Sequence, residues 1–379
     1  MIDLAITVAR PALTIEASLD VAGKGITAVI GRSGAGKSTL LLALAGLVRP
    51  RAGHIRLDGR TLFDAAAAID VPPERRGFGV VFQDGRLFPH LSVRANLRYG
   101  SRLSTRGPGP RFDDVVQLLG IADLLERRPH TMSGGERQRV AIGRALLSRP
   151  IALLMDEPLA SLDPGRRHEL LGYVAQLPAR FGLPVLYVTH QIDEVLRLAD
   201  ETVVMGDGRV VASGPTLELM SDLSLHPHVG RFEAGSVLAG RVEAHLDEWQ
   251  LTQVGVAGQR ITVPHLDAAL GTAVRLRVRA RDVAIQREVQ PSSASNQLRG
   301  RVVRVLPRDG PYCAVEVALR EAAPPGERLC ALVTRRSAQT FSIETGNEVV
   351  ASFKAVAVEG RSVALREEAD GDAPEAIRA

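Results

Sequence analysis

The chain has 379 residues, 45% of them hydrophobic, which is too long for one compact core and points to two or more domains. Lys and Arg outnumber Asp and Glu by only 47 to 43, aromatics are 4%, and no basic run is interleaved with them, so nucleic acid is not an expected partner. The two cysteines, Cys313 and Cys330, have no CxxC spacing, which excludes a disulfide framework, and a cysteine-based metal site is not expected.

The N-terminus, Met1-Ile2-Asp3-Leu4, shows no basic region followed by an apolar stretch, so no secretory signal is expected. Gly25–Ile30 is an apolar, strand-like run feeding a glycine-rich loop. Lys37–Leu47 has helical character and stops before Arg49-Pro50. The apolar run Leu40–Val48 is about half the length of a membrane span. A soluble protein is expected, with any membrane role exerted through a partner. Ile151–Met155 and Val185–Thr189 are short apolar runs that fit buried parallel strands. Asp163-Pro164 opens a helix with Pro in its first turn. Gly206-Asp207-Gly208 is a hairpin turn between Thr202–Met205 and Arg209–Ala212. These elements sum to a βαβ-type, mostly parallel sheet.

After about residue 230 strand-length alternating segments dominate, from Ser236–Ala244 to Glu348–Val356, with Gly, Pro and Asp at the turns. The Ser-rich stretch Gln290–Asn296 reads as a linker, and Gly240-Arg241-Val242 and Gly300-Arg301-Val302 hint at a repeat. The expected domains are 1–230, 231–290 and 291–366, with an acidic, disordered tail at 367–379.

Gly31-Arg32-Ser33-Gly34-Ala35-Gly36-Lys37-Ser38-Thr39 carries the first chemistry. Its glycines allow backbone N–H groups to close around phosphate oxygens, and the following helix points its positive end at the anion. Lys37 is placed to reach the β- and γ-phosphates, and the Ser38 hydroxyl to ligate Mg²⁺. Asp156 ends an apolar strand and can hold Mg²⁺ through water, while the adjoining Glu157 can polarise an attacking water. His190, at the end of another apolar strand, is a candidate γ-phosphate contact. Gln83 also follows an apolar run. Ser133-Gly134-Gly135-Glu136-Arg137-Gln138 is a second phosphate-binding helix start, and two such devices in one chain suggest two chains sandwiching two nucleotides.

The glycine loop, Gln83, Ser133–Gln138, Asp156-Glu157, Ser161-Leu162-Asp163 and His190 occur in this order over residues 1–220, which resembles the nucleotide-binding subunit of ATP-binding cassette transporters. The resemblance implies an α/β P-loop NTPase domain that works as a homodimer with membrane permease subunits. It implies that Gln83 serves Mg²⁺ and catalysis, that Ser133, Gly134, Gly135, Glu136 and Gln138 face the partner chain's ATP, and that Ser161, Leu162 and Asp163 form a dimer loop. Two departures stand out. Met132 replaces the usual Leu before the signature, and Arg10-Pro11-Ala12-Leu13 offers no aromatic for the adenine.

Val81–Val93 and Asp156–Asp163 are similar to the corresponding stretches of molybdate importer subunits. Residues 293–366 resemble a molybdate-binding, OB-like β-barrel module, with Ser293–Val302 similar to its opening strand and Leu332–Ser337 and Ser352–Val356 similar to its later strands. That module implies an oxyanion site, for which Thr334, Arg335, Arg336, Ser337 and Lys354 supply hydroxyls and positive charge. Ala355-Val356 stands where Ala-Ser is frequent. The expectation is a peripheral ATPase on the cytoplasmic membrane face, using ATP and Mg²⁺ and served indirectly by a periplasmic or extracellular molybdate-binding protein. Other cargoes (tungstate, sulfate, ferric ion, a sugar) and a non-transport cassette ATPase are the alternatives.

Overall fold

The structure, a computed structural model, describes residues 2–362 except 12, 22, 104–108, 161, 226–227, 229–234, 308–309, 322–323 and 325–326. The tail expected to be disordered, 367–379, lies outside the described residues. The chain divides into two compact units, Met1–Ala234 and Gly235–Ala379.

The first unit holds eleven strands: β1 (Ile2–Ala9), β2 (Thr14–Val21), β3 (Ile26–Gly31), β4 (Ala52–Leu57), β5 (Arg60–Asp64), β6 (Ile69–Asp70), β7 (Phe78–Val81), β8 (Ala152–Asp156), β9 (Val185–Val188), β10 (Glu201–Gly206) and β11 (Arg209–Pro215). They form one sheet in the order β6-β5-β4-β1-β2-β11-β10-β3-β9-β8-β7. From β10 to β7 every pairing is parallel. From β6 to β2 every pairing is antiparallel. The sheet is therefore half parallel, not mostly parallel as its sequence suggests. The reason lies in β1 and β2, where buried and partly exposed residues alternate, as in an antiparallel ribbon with one covered face. At the hairpin after β10, Asp207 and Gly208 both take positive φ, 49° and 80°, as a two-residue primed turn requires.

The helices are α1 (Lys37–Ala45), α2 (Pro73–Arg76), α3 (Val93–Leu103), α4 (Phe112–Leu118), α5 (Gly134–Leu147), α6 (Pro164–Phe181), α7 (Ile192–Leu198) and α8 (Thr216–Ser221). Two cores sandwich the sheet. One packs Leu40, Leu41 and Leu44 of α1 against Ile2, Leu4, Ile6 and Ile15. The other packs α3 to α6, through residues such as Leu97, Val140, Leu146 and Val174, against Leu153, Met155 and Tyr187. Arg76 is 1% exposed and donates to the carbonyls of Ala43 (2.8 Å) and Leu44 (3.0 Å), which satisfies two of the last carbonyls of α1, and to that of Val71 (2.7 Å). Among the described residues no helix is long and apolar enough to cross a membrane.

The second unit is built from β12 (Gly235–Leu246), β13 (Leu251–Val256), β14 (Gln259–Pro264), β15 (Ala273–Arg279), β16 (Ala284–Gln286), β17 (Asn296–Pro307), β18 (Tyr312–Ala318), β19 (Arg328–Thr334), β20 (Glu348–Phe353) and β21 (Val358–Ser362), with a short α-helix, α9 (Arg335–Thr340), among the described residues. The sheet orders β14-β13-β12-β15-β21 and β16-β20-β17-β18-β19 are one topology repeated, with the fifth strand of each half exchanged into the other sheet. The repeated tripeptides occupy equivalent places in the central strands β12 and β17, each followed by a bulge. Glycine is required at both. A Cβ on Gly240 would lie 2.6 Å from Val254 Cγ1, and one on Gly300 would lie 2.5 Å from the Ala318 carbonyl oxygen. Residues from both halves share one hydrophobic core, including Leu238, Val254, Leu298 and Val317.

Candidate active site

The C-terminal ends of β7, β8, β9 and β3 lie side by side, with Val81 opposite Met155, Asp156 opposite Val188 and Val188 opposite Val29. This register brings Gln83, Asp156, Glu157, His190 and the glycine loop after Gly31 to one sheet edge, where open α/β sheets collect ligands.

Gly36 caps α1 with φ 100°. A Cβ there would sit 2.8 Å from Ile15 Cγ1, so the loop cannot hold this path with a larger residue. Lys37 is 5% exposed, and its Nζ donates to the carbonyls of Gly31 (2.9 Å) and Arg32 (3.2 Å). Burial lowers its pKa, opposed by the nearby Glu157 and Asp156 carboxylates. The ammonium thus rests on its own loop's carbonyls. Ser38 Oγ donates to Asp156 Oδ1 at 2.8 Å. Burial raises the Asp156 pKa, opposed first by that hydrogen bond. A half-buried carboxylate beside a hydroxyl gains from a hard cation, and both donors are oxygens of the kind Mg²⁺ takes. Among the described residues no three His, Cys, Asp or Glu side chains cluster for a metal.

Glu157 has φ 43°, a left-handed conformation that costs a non-glycine residue about 1–2 kcal/mol. Its N–H bonds the Val188 carbonyl at 2.9 Å, and Oε1 lies 3.1 Å from His190 Nδ1. Gln83 is exposed two residues past β7.

Ser133 caps α5 through a complete capping box. Glu136 N–H donates to Ser133 Oγ at 3.3 Å, and Ser133 N–H donates to Glu136 Oε2 at 2.6 Å. That backbone bond holds the Glu136 carboxyl below its ordinary pKa. Gln138 is 3% exposed, and its Nε2 donates to the Phe82 carbonyl at 3.2 Å. Glu136 and Gln138, expected to face a partner's ATP, are thus engaged inside their own chain. Their place in the chain builds the helix start and ties it to the Gln83 loop. Gly134 and Gly135 supply the first-turn N–H groups that no intrahelical carbonyl reaches. Ser161 lies outside the described residues. Leu162 is 7% exposed, and Asp163 caps α6 by accepting from the Arg166 N–H at 3.1 Å.

Sequence reasoning missed Asn96. It is fully buried in α3, accepts from the Phe88 N–H at 2.9 Å and donates to the carbonyls of Phe88 (3.1 Å), Leu91 (3.2 Å) and Ser92 (3.1 Å). The loop Phe88-Pro89-His90 is shaped by this one side chain. Its signal was an Asn between apolar Val93 and Leu97. Asn96→Ala is expected to strand those loop groups and cost about 2–4 kcal/mol. Calorimetry is expected to show Tm lower by roughly 5–15 °C, with ATP affinity unchanged.

The oxyanion candidates do not meet within one chain. Thr334 ends β19, and its Oγ1 accepts from the Ser337 N–H at 3.0 Å and lies 2.8 Å from Ser337 Oγ. The segment after it is α9 rather than the expected strand, because Thr334 is a helix cap. Arg335 and Arg336 are exposed in its first turn. Lys354 follows β20, and Ala355–Ala357 is a tight 3₁₀ turn. Phe353 pairs with Asn296 at the start of β17, while Pro307 at its far end pairs with Cys313, next to the Tyr312–Thr334 pair. A 12-residue strand separates the two groups, on the order of 30 Å along its length. A site using all five residues needs a second chain.

A model of the ABC transporter family matches residues 15–160, and one of the TOBE domain matches residues 292–359. A molybdenum import ATP-binding protein, ModC, of Paramagnetospirillum magneticum is 47% identical over 354 residues, covering 92% of this chain and 96% of that protein. The protein of the same name from Mesorhizobium japonicum is 46% identical, with 90% and 91% covered. Among solved structures, cbiO1 of Clostridium perfringens, described as part of the ABC transporter complex cbiONQ, is 28% identical with a TM-score of 0.50, covering 58% of this chain and 90% of that one. Identity at this level over nine-tenths of the chain means that it belongs to the ABC-transporter ATP-binding subunits, in the family of molybdenum import ATP-binding proteins.

Proposed function

We infer that the chain is the ATPase subunit of a molybdate importer. The observation that carries the chemistry is the meeting of Lys37, Ser38, Asp156, Glu157 and His190 at one sheet edge, with Ser38 and Asp156 2.8 Å apart and Glu157 and His190 3.1 Å apart. The cargo rests on the relatives' names.

Two copies close head to tail, each ATP lying between the glycine loop of one and the Ser133-Gly134-Gly135 helix start of the other. Lys37 exchanges the Gly31 and Arg32 carbonyls for phosphate oxygens. Ser38 and Asp156, with Gln83, would hold Mg²⁺, which when bound neutralises charge on the phosphates. Glu157 accepts the proton of the attacking water, and His190, oriented by the Glu157 carboxylate, steadies the γ-phosphate. The loop shaped by Asn96 presents Phe88, packed on Tyr99 at 4.4 Å, to a membrane permease. The subunit then works at the cytoplasmic membrane face, and a separate binding protein delivers the anion to the permease.

With the permease in sealed vesicles, molybdate uptake is expected to require ATP, and Lys37→Ala is expected to abolish it. Uptake of a sugar or ferric ion in place of molybdate would overturn the cargo. For the second unit, calorimetry on the full-length dimer is expected to show molybdate binding, which Lys354→Ala weakens by about 1.5–3 kcal/mol if the ammonium touches the anion. No binding at millimolar molybdate would reduce this unit to a dimerisation element.

A further inference from the structure

Behind the strand ends lies a buried carboxylate that the nucleotide site does not use. Glu194, in the first turn of α7, is 2% exposed. Its Oε2 accepts from the Thr189 hydroxyl at 2.7 Å and from the Tyr187 hydroxyl at 3.0 Å. Thr189 Oγ1 in turn accepts from the Gln191 N–H at 3.0 Å. The residues just before His190 are therefore fastened to one carboxylate, and the Gln191 N–H after it is tied to the same Thr189 hydroxyl. Burial pushes the Tyr187 phenol well above its ordinary pKa, so it stays protonated and donates.

The other oxygen, Oε1, is buried without a hydrogen bond, and so is Nε of Arg167, which faces it at 3.9 Å. Arg167 reaches the opposite way as well, since its Nη2 donates to the Leu162 carbonyl at 3.1 Å. Leu162 belongs to the loop expected to meet a second chain. The two groups form an ion pair whose facing atoms, 3.9 Å apart, share no hydrogen bond, and a movement of about 1 Å turns the gap into a charge-assisted hydrogen bond. The Glu194 side is tied to the end of β9, so the movable side is Arg167, in the first turn of α6 beside the loop.

We propose that Arg167 and Glu194 are a positioning pair, whose 3.9 Å gap closes when a second chain loads the Leu162 loop and which then holds the His190 turn in its catalytic place. The pair makes hydrolysis depend on dimer contact without touching ATP. This rests on the ATPase reading above.

The test uses the full-length dimer with Arg167→Met, Arg167→Lys, Glu194→Gln and the Met/Gln double variant. Glu194→Gln keeps an acceptor for Thr189 and Tyr187 but removes the charge facing Arg167. Expected is a fall in kcat of roughly 5- to 150-fold, similar to the usual span of coupling between two binding sites. KM for ATP stays within about threefold, because the pair does not touch nucleotide. The double variant is expected to lose no more than the worse single, since both break one bridge. Arg167→Lys is expected to recover part of kcat. Unchanged kcat with a lowered Tm would make the pair merely structural and overturn the proposal, as would losses that multiply in the double variant. If Arg167→Met does not fold, Glu194→Gln and Arg167→Lys decide the matter by the same split. A wild type that does not hydrolyse ATP in this assay overturns the ATPase reading and the proposal with it, whereas an active wild type with unaffected variants overturns the proposal alone.

Discussion

Glu157→Gln is expected to keep ATP binding and to lose hydrolysis by about two to four orders of magnitude, the general-base range. The backbone shows why the side chain matters. Glu157 sits at φ 43°, where glycine would be unstrained, and its N–H is fixed to Val188 at 2.9 Å. A strained non-glycine residue at a strand end is retained when its side chain is needed there. Gln fills the same volume and can still meet His190 Nδ1, now 3.1 Å from Oε1. What it loses is the capacity to accept a proton, so the variant isolates that step from positioning. It is expected to accumulate as an ATP-bound dimer, visible by size-exclusion chromatography with ATP. Phosphate release near the wild-type rate would remove Glu157 from this role.

The parts of the site visible in the sequence are those encoded in short windows. The glycine loop, the Asp156-Glu157 strand end and the Ser133 helix start each declare their chemistry within nine residues or fewer. Parallel pairing then brings the first two together, because each follows an apolar strand whose end faces one edge. What stayed hidden depends on distant partners. Glu194 and Arg167 are 27 positions apart and look like ordinary surface charges in a linear reading. Asn96 looks like a helix-surface residue until the Phe88 loop is seen wrapped around it. The antiparallel half of the first sheet was written in the alternation of Ile2, Leu4, Ile6 and Val8, which differs from the continuous apolar runs of the parallel half. The exchanged strands β16 and β21 are too short for alternation to register, and only the opposite sheet defines them. The strand read through Thr334–Ser337 failed because Thr334, followed by Arg, Arg and Ser, is a helix cap.

Lys37→Ala chains mixed with Ser133→Arg chains are expected to regain ATPase activity that neither has alone. Lys37 serves the phosphates held by its own chain's loop, from which it now reaches the Gly31 carbonyl at 2.9 Å. Ser133 opens a 14-residue helix whose first-turn N–H groups and positive end suit an anion. That helix start packs beside Leu162, in the loop expected to meet a second chain, since a Cβ on Gly134 would lie 3.6 Å from Leu162 Cδ2. If the two devices act on one nucleotide across a two-fold axis, each site takes the loop from one chain and the helix start from the other. A mixed dimer then has one site with both defects and one with neither. Equal, freely exchanging chains make half of the dimers mixed, so about one quarter of all sites are intact. Activity is expected to approach that fraction of wild type if one intact site turns over independently. Arg at position 133 also removes the capping box, worth about 1 kcal/mol, so the Tm of each homodimer is measured beside its activity to show that both fold. Failure of well-folded chains to complement, or full-rate hydrolysis by Ser133→Arg alone, would mean that the helix start does not serve a partner's nucleotide and that the sandwich is wrong.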